Sequence, residues 1–279
     1  QPVDRGSVPQ FITKVLGLVA VAVSLLAASA VAQLPFPTHD WTYSYGTPFS
    51  QMDQPGDVIF DIAHTPDGDV LLVGGFGYPA GNFILSADFD PSSGVDQRVS
   101  AGIRDVAVVR LSPSGEYRYA VTFGGIGDDL ATGLVVRPNG SFIVTGQFEE
   151  TVDFDPGPDV HSVASAGGTD VFFRQFDSSG AYLGTKTFGA SGDDRANGVV
   201  RHPEGGFIVF GDYAGTVDFD PGPGVANRTA ARNSNAFFVR FTDDGDFVSV
   251  TTFEGNGFES IYGVAVDSQS AIFAAGYFA

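Results

Sequence analysis

The feature that most constrains this chain is a repeat. The segment TVDFDPGP occupies 151–158 and recurs at 216–223, and a degenerate form, ADFDPSSG, stands at 87–94. Asp88, Asp153 and Asp218 are therefore 65 residues apart each time. The apolar segment DVAVVRL (105–111) returns at the same interval as DVFFRQF (170–176) and NAFFVRF (235–241). TFGGIGDD (122–129) returns as TFGASGDD (187–194) and TFEGNGFE (252–259). Aligned without a gap, residues 105–169 and 170–234 are identical at 30 of 65 positions. A fixed period of this kind means one supersecondary unit per repeat, stacked on neighbours to bury a face it cannot bury alone.

Within one period, four short apolar runs alternate with turn residues. In the copy that starts at 170 the runs are 170–176, 182–188, 196–201 and 206–213, and the turns between them are 178–180, 189–194 and 203–205. Apolar residues are dense rather than alternating, the pattern of strands covered on both faces. No helical periodicity of useful length follows residue 32. The expectation is an all-β chain, a β-propeller with one four-stranded antiparallel blade per 65-residue repeat. Solenoid coils are usually much shorter, and separate sandwich domains need about 100 residues each.

The copies run over about 41–104, 105–169, 170–234 and a truncated 235–279. The first is irregular, with GYPAGNF (77–83) as a seven-residue insertion. WTYSYG (41–46) resembles the second strand of the repeat, so the repeats begin inside a blade. AGYFA (275–279) matches the position just before the next TVDFDPGP. The 247 residues after position 32 hold about 3.8 periods, the expectation for an incomplete propeller.

The pattern D-x-F-x-x-x-F, turn, T-F-G-x-x-G-D-D, G-x-x-V, P-x-G-x-F-I-V-x-G-x-F resembles the SBBP (seven-bladed β-propeller) repeat. It is closest to the variant with T-V-D-F-D-P-G-P insertions found in secreted bacterial proteins. The resemblance covers roughly 41–279 and implies a bacterial extracytoplasmic propeller. It brings no catalytic residues with it.

Residues 15–32, VLGLVAVAVSLLAASAVA, follow Lys14 and end in Ala30-Val31-Ala32, which fits a signal-peptide cleavage site before Gln33. Eighteen apolar residues could also anchor a helix in a bilayer. The Ala-rich end and the polar continuation favour a cleaved leader over 1–32, and a secreted or cell-surface protein with no membrane span after cleavage. The 33 acidic residues against 14 basic ones, net −19, argue against nucleic acid or an anionic membrane surface as partner. Absent cysteine removes disulfides, thiolate nucleophiles and zinc–thiolate or iron–sulfur sites.

Candidate chemistry begins at the DFDPGP segment. Asp153 and Asp155, like Asp218 and Asp220 and like Asp88 and Asp90, stand two apart on extended chain before a Pro/Gly turn. Such a pair points both carboxylates to one side, with Phe154 or Phe219 toward the core. Oxygen ligands on a turning loop suit calcium, although the spacing falls short of an EF-hand. The rival role for these aspartates is to close the turn through Asx hydrogen bonds. Gly127-Asp128-Asp129 and Gly192-Asp193-Asp194 could supply paired carboxylates for glycoside hydrolysis. A feature repeated blade by blade argues instead for structure, because an active site is needed once. Asp67-Gly68-Asp69 and Asp243-Asp244-Gly245-Asp246 read as hairpin turns. His39, His64, His161 and His202 occupy unrelated repeat positions and read as scattered surface residues. Asn139-Gly140-Ser141 and Asn227-Arg228-Thr229 match the glycosylation pattern and are set aside for a bacterial protein. The Phe pairs 172–173 and 237–238 read as strand core. Neither a G-x-S-x-G elbow nor a phosphate-binding glycine loop occurs.

The reading is a secreted or surface propeller that binds a protein or glycan, with no catalytic residues and calcium as the one candidate cofactor. Two alternatives stay open: a propeller enzyme acting on extracellular polysaccharide, and a spacer within a larger adhesin.

Overall fold

Strands dense in apolar residues need cover on both faces, and the central strands of this protein have it. The computed structural model describes residues 57–77, 86–155, 157 and 159–279. The leader 1–32, WTYSYG, His39 and positions 78–83 of the insertion lie outside them. Sheet I contains β1 (Val58–His64), β2 (Val70–Phe76), β5 (Asp105–Leu111) and β6 (Tyr117–Phe123) in the antiparallel order β1-β2-β5-β6. β2 and β5 are buried at all seven positions, whereas β1 and β6 at the edges are only partly covered. Between β2 and β5 the chain makes a small outer hairpin, β3 (Ser86–Asp88) with β4 (Gln97–Val99).

Sheet II repeats the plan with β7 (Leu130–Val136), β8 (Phe142–Phe148), β11 (Asp170–Phe176) and β12 (Tyr182–Phe188). Its outer hairpin is β9 (Thr151–Asp153) with β10 (Ser162–Ala164). In sheet III the outer hairpin fuses with the central strands. β14 (Phe207–Asp218) and β15 (Asn227–Phe241) pair along their lengths, flanked by β13 (Arg195–Arg201) and β16 (Phe247–Phe253). A last antiparallel pair, β17 (Ser260–Val266) and β18 (Ile272–Tyr277), follows. No helix occurs among the described residues, and so none long and apolar enough to cross a membrane.

The sheets stack as layers. Leu71 and Val73 of β2 share a core with Leu134, Phe142, Val144 and Phe172 of sheet II. Val171 and Phe173, the neighbours of Phe172, turn the other way and pack on Phe207, Val209, Phe237 and Phe241 of sheet III. The first strands β1, β7, β13 and β17 lie side by side. Each carries a bulge at the same place: Ile59/Asp61, Ala131/Gly133, Ala196/Gly198 and Ile261/Gly263. The residue the bulge re-aims crosses to the next sheet. Thr132 Oγ1 donates to Ala196 O at 2.6 Å, and Asn197, its repeat equivalent, donates through Nδ2 to Ile261 O at 2.9 Å. Gly133 permits this approach, since a Cβ there would lie 2.8 Å from Val199 N.

Each sheet's strands one and two, and three and four, are joined by one five-residue turn. Arg137 N donates to Ser141 O and Gly140 N to Arg137 O, and the same pair of bonds recurs at 65–69, 112–116, 177–181, 202–206, 242–246 and 267–271. The fourth turn residue takes a left-handed φ, +84° at Gly140, which explains the glycine at six of these turns; the seventh has Ser270.

The sheets do not coincide with the sequence copies that begin at 105, 170 and 235. Each sheet takes two strands from the end of one copy and two from the start of the next. The segment 189–194, read as a turn within a blade, is the crossover from sheet II to sheet III. The long DFDPGP segment, which looks like a linker, is a hairpin excursion between adjacent strands of one sheet. Strand three pairs with the strand before the excursion because the two are equally buried and apolar, as Phe172↔Gly146 and Phe176↔Phe142 show.

Candidate functional site

The DFD phenylalanines are wedges between sheets. Phe154 lies 5.7 Å from Phe123 of sheet I and 5.2 and 5.4 Å from Phe148 and Phe172 of sheet II. Phe219 likewise touches Phe188 of sheet II and Phe237 of sheet III. The flanking aspartates build nested Asx turns. Asp153 Oδ1 accepts from Asp155 N (3.1 Å) and His161 N (2.9 Å), and Asp155 Oδ1 from Gly157 N (3.0 Å). Asp218 accepts from Asp220 N and Ala226 N, and Asp220 from Gly222 N. Asp88 accepts from Asp90 N and Asp96 N, and Asp90 from Ser92 N. Among the described residues no three carboxylates or imidazoles converge on a metal-sized position. Calcium at these loops is a proposal with a direct test, because a ligand held only by the folded state raises the unfolding midpoint. A higher midpoint in millimolar calcium than in chelator, lost in Asp218→Ala with Asp220→Ala, would assign the loops as calcium sites. Equal midpoints leave the Asx turns as their whole role.

The GDD aspartates divide their work. Asp128 forms a two-point ion pair with Arg104 (2.6 and 2.5 Å), and Asp193 pairs with Arg195 at 2.7 Å. Asp129 is 1% exposed and accepts from Gly125 N (2.6 Å) and Glu149 N (3.1 Å). Asp194 does the same for Ala190 N and Ala214 N, at the equivalent positions. Each therefore ties a crossover to the end of a strand. Sequence reasoning missed their companions at the start of strand three. Asp105 caps Ala101 N, and Asp170 caps Ala166 N. Burial pushes Asp129 up to about 7 and Asp105 and Asp194 up to about 6, and raises Asp170 as well. Asp61 and Asp212, raised by burial too, have no acidic equivalent in the other copies. Asp61 accepts from Leu134 N between sheets I and II, and Asp212 from Ser260 Oγ beside β17. They stand at different junctions.

At the turn end, neighbouring sheets are fastened by a cation that holds the next sheet's turn. Between sheets I and II it is Arg110, which donates to Asp69 (2.8 Å), to Asp67 (2.7 Å) and across the junction to Ser178 O (2.5 Å). The equivalent residue in sheet II is the shorter Gln175, which reaches Asp244 O at 3.1 Å. Arg137, from the first turn of sheet II, holds the carbonyl of Asp243, the counterpart of Ser178. It also donates to Gln175 Oε1 (2.8 Å) and Asp243 Oδ1 (3.3 Å). Arg201, at the end of β13, donates to the same Asp243 oxygen. Burial would raise the Asp243 carboxyl, but the Arg201 bond and both guanidinium charges hold it below its usual value. Burial lowers Arg137 against the pull of Asp243, and the like charge of Arg201 adds to the fall.

A cavity of about 540 Å³ opens between sheets II and III, lined by Arg137, Arg201, Gln175, Asn139, Asp243 and Leu183 among others. Its polar groups are departures from the repeat: Arg137 stands where the other copies have Thr65, His202 and Asp267, and Arg201 where they have His64, Val136 and Val266. Of these residues only Asp243, as a turn residue, and Asn139, in a glycosylation pattern, drew notice in the sequence, and both occupy turns. The signal that could have found the rest was the mismatch within the repeat, not the match.

Of the described histidines, His202 is buried, His161 half-buried and His64 exposed. His202 is 4% exposed and accepts from Glu204 N through Nδ1, and His161 Nδ1 bonds the Tyr182 hydroxyl. The repeat equivalents Asp96 and Tyr117 form the same tie from outer hairpin to strand four. Phe172, Phe173 and Phe237 are fully buried strand core. Against known proteins, the chain matches no family model and no curated protein.

Proposed function

We propose that this chain is part of a secreted or cell-surface β-propeller of the SBBP type that binds a ligand without catalysing a reaction on it. The architecture supports the propeller through three successive four-stranded sheets whose first strands adjoin, with wedges and bridges recurring at equal intervals. The carrying observation is the cavity between sheets II and III, where the repeat is broken by convergent polar side chains. Its volume falls in the range of small-ligand sites, roughly 300–1,000 Å³. Against an enzyme stands the placement of the raised carboxylates. Asp105, Asp129, Asp170 and Asp194 recur from sheet to sheet and cap backbone, while Asp61 and Asp212 do not share a site.

The test is to immobilise the protein, screen it against panels of extracellular glycans and proteins, and repeat any hit with Arg201→Ala. Binding that the substitution weakens at least tenfold is the expected result. Release of new reducing ends from a polysaccharide substrate would overturn the non-catalytic reading in favour of the glycan-acting enzyme.

A further inference from the structure

We infer that Asn256 is a self-modification site, where Gly257 N attacks the side-chain amide and converts the asparagine to aspartate and isoaspartate. The chain holds three Asn-Gly pairs, Asn139-Gly140, Asn197-Gly198 and Asn256-Gly257. Glycine after asparagine leaves the line of attack open, because it has no Cβ to crowd it. Sequence alone therefore ranks the three equally. The fold does not.

Two of the pairs are held. Asn139 Oδ1 accepts from Ser141 N and Oγ, and Gly140 N, the group that would attack, donates to Arg137 O at 2.9 Å. Asn197 keeps its amide by donating Nδ2, the group that would leave, to Ser260 Oγ and Ile261 O, both at 2.9 Å. Asn256 is exposed in the crossover 254–259 between β16 and β17, and among the described residues its side chain has no hydrogen bond. Nothing fixes its amide away from the next nitrogen.

The carboxylate beside that nitrogen is itself a departure from the repeat. Glu259 stands where the other crossovers have Asp129 and Asp194. Those aspartates accept from the residue four before them, Gly125 N and Ala190 N, at 2.6 Å each. The longer glutamate overshoots: its Oε1 lies where a Cβ on Gly255 would meet it at 1.9 Å, and it takes Gly257 N instead, at 3.3 Å. That bond is longer than the usual N–H···O of about 2.9–3.0 Å. Glu259 is 1% exposed, and its Oε2 is buried without a partner. A desolvated carboxylate thus sits on the N–H that must give up its proton.

The steps balance. Gly257 N bonds to Asn256 Cγ and passes its proton to Glu259. The Cγ–Nδ2 bond breaks, and the amide takes that proton and leaves as ammonia. One water then opens the succinimide ring at either carbonyl, which adds a negative charge and, in isoaspartate, one carbon to the backbone path. The change falls just before Ser260 and Ile261, the residues that Asn197 holds at the junction of β13 and β17.

The experiment is to incubate the folded protein in mildly alkaline buffer and follow all three pairs by peptide mass spectrometry, with the chain unfolded in guanidinium as comparison. The expected result is conversion of Asn256 at least tenfold faster than Asn139 and Asn197 in the folded protein, with ammonia released in step. In the unfolded chain the three rates should be similar. Glu259→Asp, which restores the side chain of the other copies, and Glu259→Gln, which keeps the length and loses the base, should both slow Asn256. Circular dichroism verifies that each variant keeps the fold. Similar folded rates at the three sites, or a faster Asn139 or Asn197, overturn the assignment. An Asn256 that leads by the same factor in the unfolded chain overturns it too, since the fold then selects nothing. A fast Asn256 that ignores both Glu259 variants overturns the glutamate as proton acceptor.

Discussion

The protein is expected to be most stable near pH 4 and to lose stability as the pH rises to 8. Five buried carboxyls, Asp105, Asp129, Asp170, Asp194 and Asp212, and the half-buried Asp61 are raised above the ordinary value of 3.8, with desolvation as the first cause in each. A raised carboxyl keeps its proton in the folded chain after the unfolded chain has released it. The folded state then binds more protons, so the contribution is full below about pH 4 and disappears as the pH passes the folded value. For Asp105 and Asp194 that value is about 6, and for Asp129 about 7. At ~1.4 kcal/mol per unit, Asp129 alone accounts for roughly 4 kcal/mol across the window. Asp105 and Asp129 repel each other, so their contributions do not simply add. Below about pH 4 the lowered carboxyls of Asp96 and Asp243, paired with arginines, turn the trend round. Thermal midpoints at pH 5, 6.5 and 8 decide the matter. Asp129→Asn should lower stability, since one of its two backbone donors then faces an amide nitrogen, and should flatten the slope between pH 6 and 8. A midpoint independent of pH over that window would sink the account.

These carboxyls also mark where sequence reading reaches its limit. The strand runs, the inward DFD phenylalanines and the turn role of Asp67, Asp69 and Asp243 were legible, because each follows from local chemistry. The phase of the unit was not. A period has no origin, and strand pairing is decided by which neighbours are equally buried, which joins Phe142–Phe148 to Asp170–Phe176 across the outer hairpin. Asp105 and Asp170 were passed over for a related reason. As the first residue of an apolar strand each looks like a boundary marker, and its caps on Ala101 N and Ala166 N depend on how the hairpin returns. The cavity was hidden because its lining residues, among them Arg137, Gln175, Arg201 and Asp243, are far apart in the sequence and meet only at a junction between sheets.

The residue that departs most sharply from the repeat is Arg174, and Arg174→Met is expected to stabilise the protein by about 1–3 kcal/mol. The side chain is 1% exposed where the other copies have Val109 and Val239. Its guanidinium lies 4.3, 4.5 and 4.9 Å from the rings of Phe123, Phe176 and Tyr182. Nε and Nη1 are buried without a hydrogen-bond partner, and burial pushes the group down to about 10. Contact with aromatic faces returns about 2 kcal/mol when desolvated. Two unsatisfied donors cost about 1–3 kcal/mol each, and the buried charge several more. The costs outweigh the return. Methionine has a similar reach, no donors and a favourable sulfur–aromatic contact. Arg174→Ala is expected to go the other way, by about 2–4 kcal/mol, because it leaves a hole among the three rings. The pair of variants separates packing from charge: a Met variant as destabilised as the Ala variant would mean that the guanidinium itself is required. The charges of Asp155 and Asp153 in the outer hairpin favour its charged form, so in that case the loop of sheet II would owe its shape to an internal cation that the loops of sheets I and III lack.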